Sequence, residues 1–476
     1  MNATYIDYLE TAHDNAIALV DDKEQFTYGE LRHAARQIAT VLQAQYGTRQ
    51  YLILRATSES RFVLTLLGIM YSGNTPIPVD SASPATTLQY MQDKSGAVAI
   101  LEPLWPSDFA YATPTGQIEA AMPALIMFTS GTTGFPKGVI ISQANLIHSC
   151  TAMSNYLDYH RHRSAAVVLP LYYSYALLSQ VCCQLFVGGR VRLFASFRNP
   201  IKFSRVVNEE ELATFCGVPS TYHALVMVHR LTPLRMPAVQ VLCSAGAAMD
   251  RSKWREIKDI FPNALFFNNY GMTEAAPRIA YIREDDPRFF EPTCGRPMAG
   301  VEVKIVDPDT HDELPAGQAG MLVVRGPNVT QGYLHDEETT RKAFTRHGYL
   351  ISGDMAFIDQ GYLFICGRYD DIFNVGGEKV APLEIERLLH EHPLVETAAV
   401  TGVPDAARGM VPVAFVKLRG PLTKKDLLQK LQQELPPIKI PQRFLEVRDF
   451  PMTANGKLQR RMLSPDDPTY VIREID

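Results

Sequence analysis

The spacing of hydrophobic residues predicts that helices and strands alternate along the first half of the chain. Apolar positions recur at a helical period in FTYGELRHAARQIATVLQ, whereas YLILRA and GNTPIPV are short and β-rich. The alternation continues after residue 164 in AAVVLPLYYSYALLSQVCCQLFVGG, RVRLF, ATFCGVPSTYHALV and AVQVLCSAG. This order of elements is typical of a layered α/β domain.

A different pattern follows TCGRPMAG, which ends at residue 300. The runs VEVKIVD, GMLVVRG and GYLFICG are short and separated by turn residues, so they predict a small, largely antiparallel β subdomain. From about residue 371 the tail has a helix and strand pattern of its own, in APLEIERLLHEH, VETAAVTGV, VPVAFVKL and TKKDLLQKLQQEL.

Length and composition limit the class of protein. A chain of 476 residues is too long for one compact core and predicts two or three lobes. The net charge of −5 gives no reason to expect a nucleic-acid partner. The opening MNATYIDYLE does not resemble a signal peptide, and no apolar run reaches the ~20 residues of a membrane span. We therefore expect a cytoplasmic protein without a membrane span.

The seven cysteines are scattered along the chain, without a C-x-x-C pair. They are Cys150, Cys182, Cys183, Cys216, Cys243, Cys294 and Cys366. Because most of them stand among apolar neighbours, we expect buried free thiols rather than disulfides or metal ligands.

The loop MFTSGTTGFPKGVI, residues 127–140, carries the first sign of chemistry. Its glycines allow backbone N–H groups to turn onto one anion, its hydroxyls add donors, and Lys137 adds a positive charge. These glycines and hydroxyls are Thr129, Ser130, Gly131, Thr132, Thr133, Gly134 and Gly138. The set suits a polyphosphate, but Pro136 and Gly138 flank Lys137, which does not fit a P-loop NTPase. A solvated glycine-rich hairpin remains the alternative for this segment alone.

Four further stretches fit the same ligand. NNYGMTEAAP places Tyr270, Thr273 and Glu274 around a flexible Gly271, where a ring can cover a purine and a carboxylate can hold Mg²⁺. YLISGDMAFID puts Asp354 at the end of an apolar strand, suited to ribose hydroxyls. GRYDDIFNVGGEKVAPLEIE supplies an arginine and a second glycine pair, and PMTANGKLQRRML presents a lysine on a turn. Taken singly, each also fits ordinary turn or core chemistry.

Together, in this order, the five motifs resemble the adenylate-forming superfamily, which includes acyl-CoA synthetases, adenylation domains of nonribosomal peptide synthesis and beetle luciferases. The resemblance runs from FTYGELRHAARQIA to GKLQRR. It implies an α/β protein with a large N-terminal AMP-binding domain, residues 1–368, of two α/β subdomains and a β subdomain. A small α+β C-terminal lid, residues 369–476, would rotate between two half-reactions. In the first, a carboxylate attacks the α-phosphate of MgATP, and in the second a thiol or another nucleophile displaces AMP.

The resemblance also implies residue roles. The loop from Thr129 to Gly138 would hold the β- and γ-phosphates, Thr273 the α-phosphate and Glu274 the Mg²⁺ ion. Lys457 would bridge the carboxylate and the α-phosphate, as the main catalytic residue beside Lys137, Thr273 and Glu274. The residues implied in binding ATP are Thr129, Ser130, Gly131, Thr132, Thr133, Gly134, Lys137, Gly246, Ala247, Ala248, Asn268, Asn269, Tyr270, Gly271, Met272, Thr273, Asp354, Arg368 and Lys457.

Within the lid, Asp370 matches the position of the hinge, and Gly376 and Gly377 match the loop that lines the thiol tunnel. A missing side chain at Gly377 would leave room there for pantetheine.

The segment LPLYYSYALLSQ bears on the acid. Amino-acid-activating relatives carry an aspartate where this chain has Tyr175, so an unpaired substrate ammonium would be costly and an α-amino acid is disfavoured. Tyr173 replaces the histidine that gates the pocket in many acyl- and aryl-CoA synthetases, so this chain departs from the family's gating mechanism at that position. The acid pocket implied by the resemblance consists of Tyr173, Tyr175, Cys216, Ser244, Ala245, Gly246, Asn269 and Pro277, although some of these can simply pack the core.

No carrier-protein segment follows Lys457, so we expect the thiol acceptor in trans, as CoA or a phosphopantetheinyl carrier protein. The leading hypothesis is a monomeric or homodimeric AMP-forming ligase for an aryl or medium-sized apolar carboxylic acid. An amide-forming ligase and an amino-acid adenylation enzyme are the alternatives. A degenerate scaffold protein is disfavoured because Lys137, Glu274, Asp354 and Lys457 are all present.

Overall fold

A computed structural model describes residues 3–105, 122–129, 136–247, 249, 253–405, 408–452 and 458–476. The chain divides into two compact units. The first unit is Met1–Val303 with Val324–Leu350, and the second unit is Lys304–Val323 with Ile351–Asp476. The predicted domain boundary between residues 368 and 369 falls within the second unit and stays a prediction.

The helices begin and end where capping residues and buried faces require. Thr27 caps the longest of them by accepting a hydrogen bond from the Glu30 amide, and Leu31, Ala35 and Ile38 bury one face. The helices are α1 (Tyr5–Leu9), α2 (Tyr28–Tyr46), α3 (Ser60–Tyr71), α4 (Ala85–Ser95), α5 (Gln143–Tyr156), α6 (Ser174–Ala176), α7 (Cys183–Phe186), α8 (Pro200–Glu209), α9 (Pro219–Leu231), α10 (Trp254–Ile260), α11 (Glu337–Ala343), α12 (Pro382–His390) and α13 (Lys424–Glu434). A π-helical turn, Leu177–Cys182, joins α6 to α7, and short 3₁₀ turns lie at Thr273–Ala275, Tyr369–Asp371, Pro437–Lys439 and Arg460–Met462.

The strands follow the predicted β-rich runs, and YLILRA and GNTPIPV become β3 and β4. The strands are β1 (Ile17–Val20), β2 (Gln25–Thr27), β3 (Tyr51–Ala56), β4 (Thr75–Asp80), β5 (Ala99–Leu101), β6 (Pro123–Thr129), β7 (Lys137–Ser142), β8 (Ser164–Val167), β9 (Arg190–Leu193), β10 (Thr214–Gly217), β11 (Val241–Ser244), β12 (Leu265–Tyr270), β13 (Ala280–Arg283), β14 (Arg296–Pro297), β15 (Glu302–Val306), β16 (Gly320–Arg325), β17 (Leu350–Asp359), β18 (Tyr362–Arg368), β19 (Phe373–Val375), β20 (Glu378–Val380), β21 (Val395–Asp405), β22 (Gly409–Leu418), β23 (Arg443–Val447) and β24 (Val471–Glu474).

The largest sheet of the first unit has the strand order β14-β13-β12-β11-β10-β8-β9-β1-β2. Its middle strands β8, β10, β11 and β12 run parallel, and in this register Cys216 faces Cys243 and Ser244 faces Asn268. The near-continuous apolar sequence of β10 and β11 fits strands buried on both faces. Because the carboxyl ends of parallel strands meet at one edge, this edge is where a ligand site is expected.

Two smaller sheets complete the first unit. Strands β4-β3-β5 form a parallel sheet, and β6 pairs with β7 in an antiparallel hairpin that brings Thr129 opposite Lys137. The hairpin brackets the glycine-rich motif, so both ends of that motif are held by the sheet.

The second unit contains a sheet of order β15-β16-β17-β18 and a sheet in which β20-β19-β22-β23-β24 lie in order with β21 paired to β22. The apolar faces of α12 and α13 pack on the latter sheet around Ile385, Leu427 and Phe444, as the pattern of the tail predicts.

The prediction that Asp354 ends a strand is wrong. Strand β17 continues to Asp359, because it folds back on β18 as a hairpin in which Asp359 faces Tyr362. Asp354 instead lies in mid-strand opposite Arg368, one residue before an irregularity between Met355 and Ala356.

The seven cysteines are free thiols, and Cys294 and Cys366 alone are partly exposed, which confirms the prediction for the thiols. Among the helices that the structure describes, none is both long and apolar enough to cross a membrane.

Candidate active site

The carboxyl ends of β10, β11 and β12 bring several predicted pocket residues together. Cys216 and Ser244 are buried, at 2% and 0% exposure, near the ends of neighbouring strands. Asn269 and Tyr270 end β12, one and two residues beyond Asn268, which pairs with Ser244. Sequence positions more than fifty residues apart therefore meet at one edge of the sheet.

Gly271 follows β12, and its role differs from the flexibility predicted for it. Gly271 does not have a positive φ angle, so its backbone is not in the left-handed region. A Cβ atom at this position would instead collide with the Pro277 carbonyl oxygen. The glycine is therefore required by close approach of the backbone, which lets the chain turn tightly from β12 into Thr273–Ala275.

Glu274, on this turn, is held from two sides. Its carboxylate Oε1 accepts a hydrogen bond from Tyr333 Oη at 3.0 Å, and its main-chain oxygen accepts one from the Thr330 amide at 2.8 Å. Burial first, and then the Glu274 carboxylate, raise the pKa of Tyr333, so the phenol stays protonated and remains the donor.

Residues 330–334 are fixed in turn against β7. Thr330 Oγ1 donates to the Ile140 carbonyl at 2.6 Å, and the Leu334 amide donates to the Gly138 carbonyl at 2.8 Å. This pairing brings the Tyr333 ring beside Lys137, whose Nζ lies 5.6 Å from the ring centre. Lys137, Tyr333 and Glu274 thus stand side by side.

Lys137, Tyr333 and Glu274 form a row of polar side chains. The donors and acceptors of this row fit a magnesium-bound polyphosphate. Lys137 has no ion-pair partner among the described residues, so its charge is available to an anion. Glu274 is 9% exposed, and its Oε2 accepts no hydrogen bond from any residue that the structure describes. An acceptor-only oxygen without a donor suits a cation such as Mg²⁺.

No group of three or more acidic, histidine or cysteine side chains in the described ranges could hold a metal on its own. Glu274 would therefore supply one ligand, and phosphate oxygens and water the rest, which is the usual coordination of Mg²⁺ in nucleotide sites.

Thr273 is positioned by a residue that the sequence did not single out. Its Oγ1 lies 2.9 Å from Ser174 Oγ, at the first residue of α6. The helical stretch that begins here carries Tyr175 and Ser179, so it runs from the Thr273 turn along the predicted acid pocket.

Four of the predicted pocket residues have different surroundings. The hydroxyls of Tyr173 and Tyr175 are buried without a hydrogen-bond partner among the described residues, so both can meet a ligand. Asn269 is already engaged, since its Oδ1 accepts from Tyr156 Oη at 3.0 Å and its Nδ2 donates to the Phe267 carbonyl at 3.2 Å. Ala245 is buried without polar side-chain atoms. The pocket role of all four stays a prediction.

The remaining predicted contacts of the first unit line the same strand ends. Gly246 has φ +89°, a left-handed conformation that favours glycine, and it is exposed with Ala247 directly after β11. Asn268 and Tyr270, in β12, and Met272, after it, are half-buried, and Pro277 is buried. Their contacts with ATP or acid stay predictions.

Arg278 is the most notable residue that the sequence did not indicate. It is 1% exposed and is the largest of the fully buried side chains. The only available signal was a charged residue inside the apolar run AAPRIAYI, which a surface position would explain equally well. Tyr333 was missed because its partner, Glu274, is distant in sequence.

In the second unit, Asp354 and Arg368 form an ion pair across the hairpin. Arg368 Nη1 lies 3.2 Å from Asp354 Oδ1, and the aspartate is 14% exposed. Gly353 has φ +75°, and a Cβ atom there would lie 2.8 Å from Arg368 Nη2, so the glycine makes room for the guanidinium. Two residues predicted to bind ATP are therefore brought together, although their ligand stays a prediction.

The predicted hinge residue Asp370 lies in the turn Tyr369–Asp371. Its neighbour Asp371 accepts a hydrogen bond from Arg460 Nε at 3.2 Å, and Arg460 also binds the Glu386 carboxylate. Gly376 and Gly377 both have positive φ, at 56° and 93°. A Cβ atom at Gly377 would meet no described atom within 4 Å. The hinge and thiol-tunnel roles stay predictions.

Seven of the predicted ATP-binding residues lie outside the described residues: Ser130, Gly131, Thr132, Thr133, Gly134, Ala248 and Lys457. Their roles stay predictions.

Comparison with known sequences identifies the family. The profile of the AMP-binding enzyme family matches residues 9–108 and 102–334, and the profile of the AMP-binding enzyme C-terminal domain matches residues 384–457. The chain is 28% identical over 473 residues to 4-coumarate–CoA ligase CCL1 of Humulus lupulus, covering 94% of this chain and 84% of that protein. It is 32% identical over 343 residues to the putative acyl-CoA synthetase YngI of Bacillus subtilis (strain 168), covering 71% of this chain and 62% of that protein.

Solved structures have the same fold. ATP-bound MatB from Rhodopseudomonas palustris superposes with a TM-score of 0.87 at 26% identity, over 97% of this chain and 98% of that chain. The o-succinylbenzoate CoA synthetase MenE from Bacillus subtilis, in complex with AMP, gives a TM-score of 0.87 at 22% identity, over 99% of both chains, and supports the fold alone. The predicted α/β fold class, with a large N-terminal and a smaller C-terminal domain, is confirmed, and the chain belongs to the AMP-binding enzyme family of the adenylate-forming superfamily.

Proposed function

We propose that this protein activates a carboxylic acid with MgATP, releases pyrophosphate, and transfers the acyl group from acyl-AMP to the thiol of CoA. The observation that carries the proposal is the row formed by Lys137, Tyr333 and Glu274, in which an unpaired cation and a free carboxylate oxygen stand side by side. Membership of the AMP-binding enzyme family agrees with this use of the row.

In the first half-reaction, a carboxylate oxygen attacks the α-phosphorus of ATP and pyrophosphate leaves. Lys137 offsets the charge of the leaving phosphates, and Thr273, oriented by Ser174, donates to the α-phosphate. Glu274 would hold the Mg²⁺ ion, which would supply positive charge to the phosphate oxygens when bound. Tyr333 keeps the carboxylate of Glu274 oriented.

Lys457 and the ion pair between Asp354 and Arg368 have the remaining proposed roles in binding and activating ATP. The Lys457 ammonium bridges the attacking carboxylate and the α-phosphate, which positions the nucleophile and stabilises the developing charge. Arg368 holds the Asp354 carboxylate through its 3.2 Å ion pair, so that the aspartate can accept hydrogen bonds from the ribose hydroxyls.

The acceptor is inferred from the relatives. The protein from Humulus lupulus is named a CoA ligase, and it aligns with 94% of this chain. The protein from Bacillus subtilis is named a putative acyl-CoA synthetase. These names favour CoA over a carrier-protein phosphopantetheine or an amine as the acceptor.

The acid is proposed to be aryl or medium-sized. Tyr173 and Tyr175 offer aromatic walls, and Tyr173 stacks on Tyr172 with ring centres 4.8 Å apart. Tyr175 stands where an aspartate would pair a substrate ammonium, so an α-amino acid lacks its partner.

A screen of pyrophosphate release across aryl, fatty and amino acids tests this proposal. Mass spectrometry then follows the product with CoA, a phosphopantetheinyl carrier protein or an amine as acceptor. We expect acid-dependent pyrophosphate release and a CoA thioester. Amide formation without a thioester would contradict the proposed acceptor, and the absence of acid-dependent pyrophosphate release would contradict the function itself.

A further inference from the structure

The interior of the first unit holds a positive charge, that of Arg278, to which no described residue supplies a negative partner. Arg278 is 1% exposed, and its guanidinium makes no ion pair with any described residue. Within the part of the chain that the structure describes, its Nε has no hydrogen-bond partner, and Nη2 reaches only Ser179 Oγ, at a long 3.5 Å. A buried charge in this condition is strongly unfavourable, so a native state that keeps it implies a partner that binds from outside the chain.

The groups that surround Arg278 do not replace a carboxylate. Its guanidinium carbon lies 5.4 Å from the ring centre of Tyr175. Burial raises the pKa of Tyr156, Tyr175 and Cys243, so these groups are neutral near pH 7. The pKa of Cys216 is lowered, first by a hydrogen bond from Cys243, and its thiol is thus the only competing partner in the described surroundings.

Arg278 contacts the helical stretch that carries Tyr175 and Ser179, beyond the point where this stretch meets Thr273. Ser174 touches Thr273 at the phosphate end, and Ser179 touches Arg278. Ser179 stands five positions after Ser174, which at an α-helical rise of about 1.5 Å per residue, and less in the π-helical turn, is at most about 7.5 Å along the axis. That length matches an aromatic ring or a chain of four to six carbons, roughly, at extended bond spacing.

We propose that the acid substrate carries a second carboxylate at its far end and that this carboxylate pairs with Arg278. The inference rests on the proposed function and names the substrate class of the same pocket. The aromatic and apolar walls still select an aryl or medium-sized acid, while the buried guanidinium selects an anionic end.

Matched pairs of acids test the proposal. Pyrophosphate release is measured with hexanoate against hexanedioate and with 3-phenylpropanoate against 3-(4-carboxyphenyl)propanoate. The wild-type protein should prefer the diacid of each pair by about 10²-fold in kcat/KM, because a monoacid leaves the buried cation unpaired. The Arg278→Met variant should lose this preference. The matched control is Arg283→Met, which changes an exposed arginine of β13 and should keep the preference.

Equilibrium binding separates this inference from the proposed function. Binding of hexanedioate, measured by calorimetry, should be at least tenfold weaker in Arg278→Met than in the wild type. If no acid gives pyrophosphate release but this binding difference holds, the proposed function fails and the inference stands. If the wild type prefers the monoacids, as a Cys216 thiolate partner would predict, the inference is overturned even with full activity. If the Arg278→Met variant fails to fold, the preference of the wild-type protein between the diacid and the monoacid of each pair still tests the inference.

Discussion

The phenol of Tyr333 donates a hydrogen bond to the Glu274 carboxylate over 3.0 Å and joins segments 59 residues apart in the sequence. Residues 330–334 can reach Glu274 because they pair with β7, the strand that begins at Lys137. One local arrangement thus orients the carboxylate proposed for Mg²⁺ and places Lys137, the lysine proposed to bind phosphate, beside it.

Removing this hydrogen bond should weaken the use of Mg²⁺. In Tyr333→Phe, we expect the kcat/KM for pyrophosphate release to fall by about tenfold, because a hydrogen bond to a charged group is worth about 1.5 to 3 kcal/mol. The Mg²⁺ concentration for half-maximal rate should rise in parallel. Titration of Mg²⁺ at saturating ATP measures both, with Tyr46→Phe, on α2, as the control. An unchanged Mg²⁺ dependence would show that Tyr333 does not position Glu274.

The motif residues could be predicted from the sequence, whereas their supports could not. Thr273 and Glu274 belong to a stretch of recognisable order, and Lys137 ends a glycine-rich loop. Tyr333 and Ser174 act through contacts that depend on strand pairing and on the course of a helix, which no local pattern encodes. The position of Asp354 within its strand was also decided by the hairpin that follows it.

A buried ion pair should control the stability of the second unit. Arg460 binds Glu386 and donates to the Val400 carbonyl at 2.6 Å, while the Glu386 carboxylate also accepts from the Val400 amide at 2.6 Å. Arg460→Met leaves that carboxylate buried and unpaired, so the local free energy of unfolding should fall by about 3 kcal/mol.

Hydrogen exchange of the β21 amides, including that of Val400, measures this loss. Arg443→Met is the matched control, since its partner Glu474 is exposed and the pair should contribute less than about 1 kcal/mol. Equal effects of the two substitutions would contradict the structural role of Arg460.

The lid lysine should act in only one half-reaction. We expect Lys457→Ala to lose nearly all acyl-AMP formation while transfer from supplied acyl-AMP to CoA remains largely intact, because the bridging ammonium is needed only while the carboxylate attacks phosphorus. Single-turnover assays of each half-reaction measure the difference. Lys425→Ala, at an exposed position of α13, is the control. A similar loss in both half-reactions would contradict the role proposed for Lys457.

Substrate choice should disfavour an ammonium group. Phenylalanine should be activated at least about 10²-fold less well than 3-phenylpropanoate, because Tyr175 offers no charge partner to the ammonium. The comparison isolates a single functional group and is measured by pyrophosphate release. Phenylalanine at or above the rate of 3-phenylpropanoate would move the protein to the amino-acid-activating branch.

The absence of an aspartate at Tyr175 was visible in the sequence, but the cation near it was not. Charged residues are mostly exposed, so an arginine beside Pro277 is expected at the surface. The turn after Gly271 brings Thr273 against Ser174 and Arg278 against Ser179, so that Arg278 lies in the interior. The role proposed for Arg278 depends on its burial, and burial follows from the tertiary structure and not from the local sequence.

Transfer of oxygen from acid to AMP tests the central claim most directly. The acid is labelled with ¹⁸O in the reacting carboxylate, turned over with ATP, Mg²⁺ and CoA, and the phosphorus products are analysed by mass spectrometry. Attack of the carboxylate on the α-phosphorus predicts one ¹⁸O atom in each AMP, with none in pyrophosphate. Label in inorganic phosphate accompanied by ADP would mean that an acyl phosphate forms instead, and would contradict the proposed adenylation.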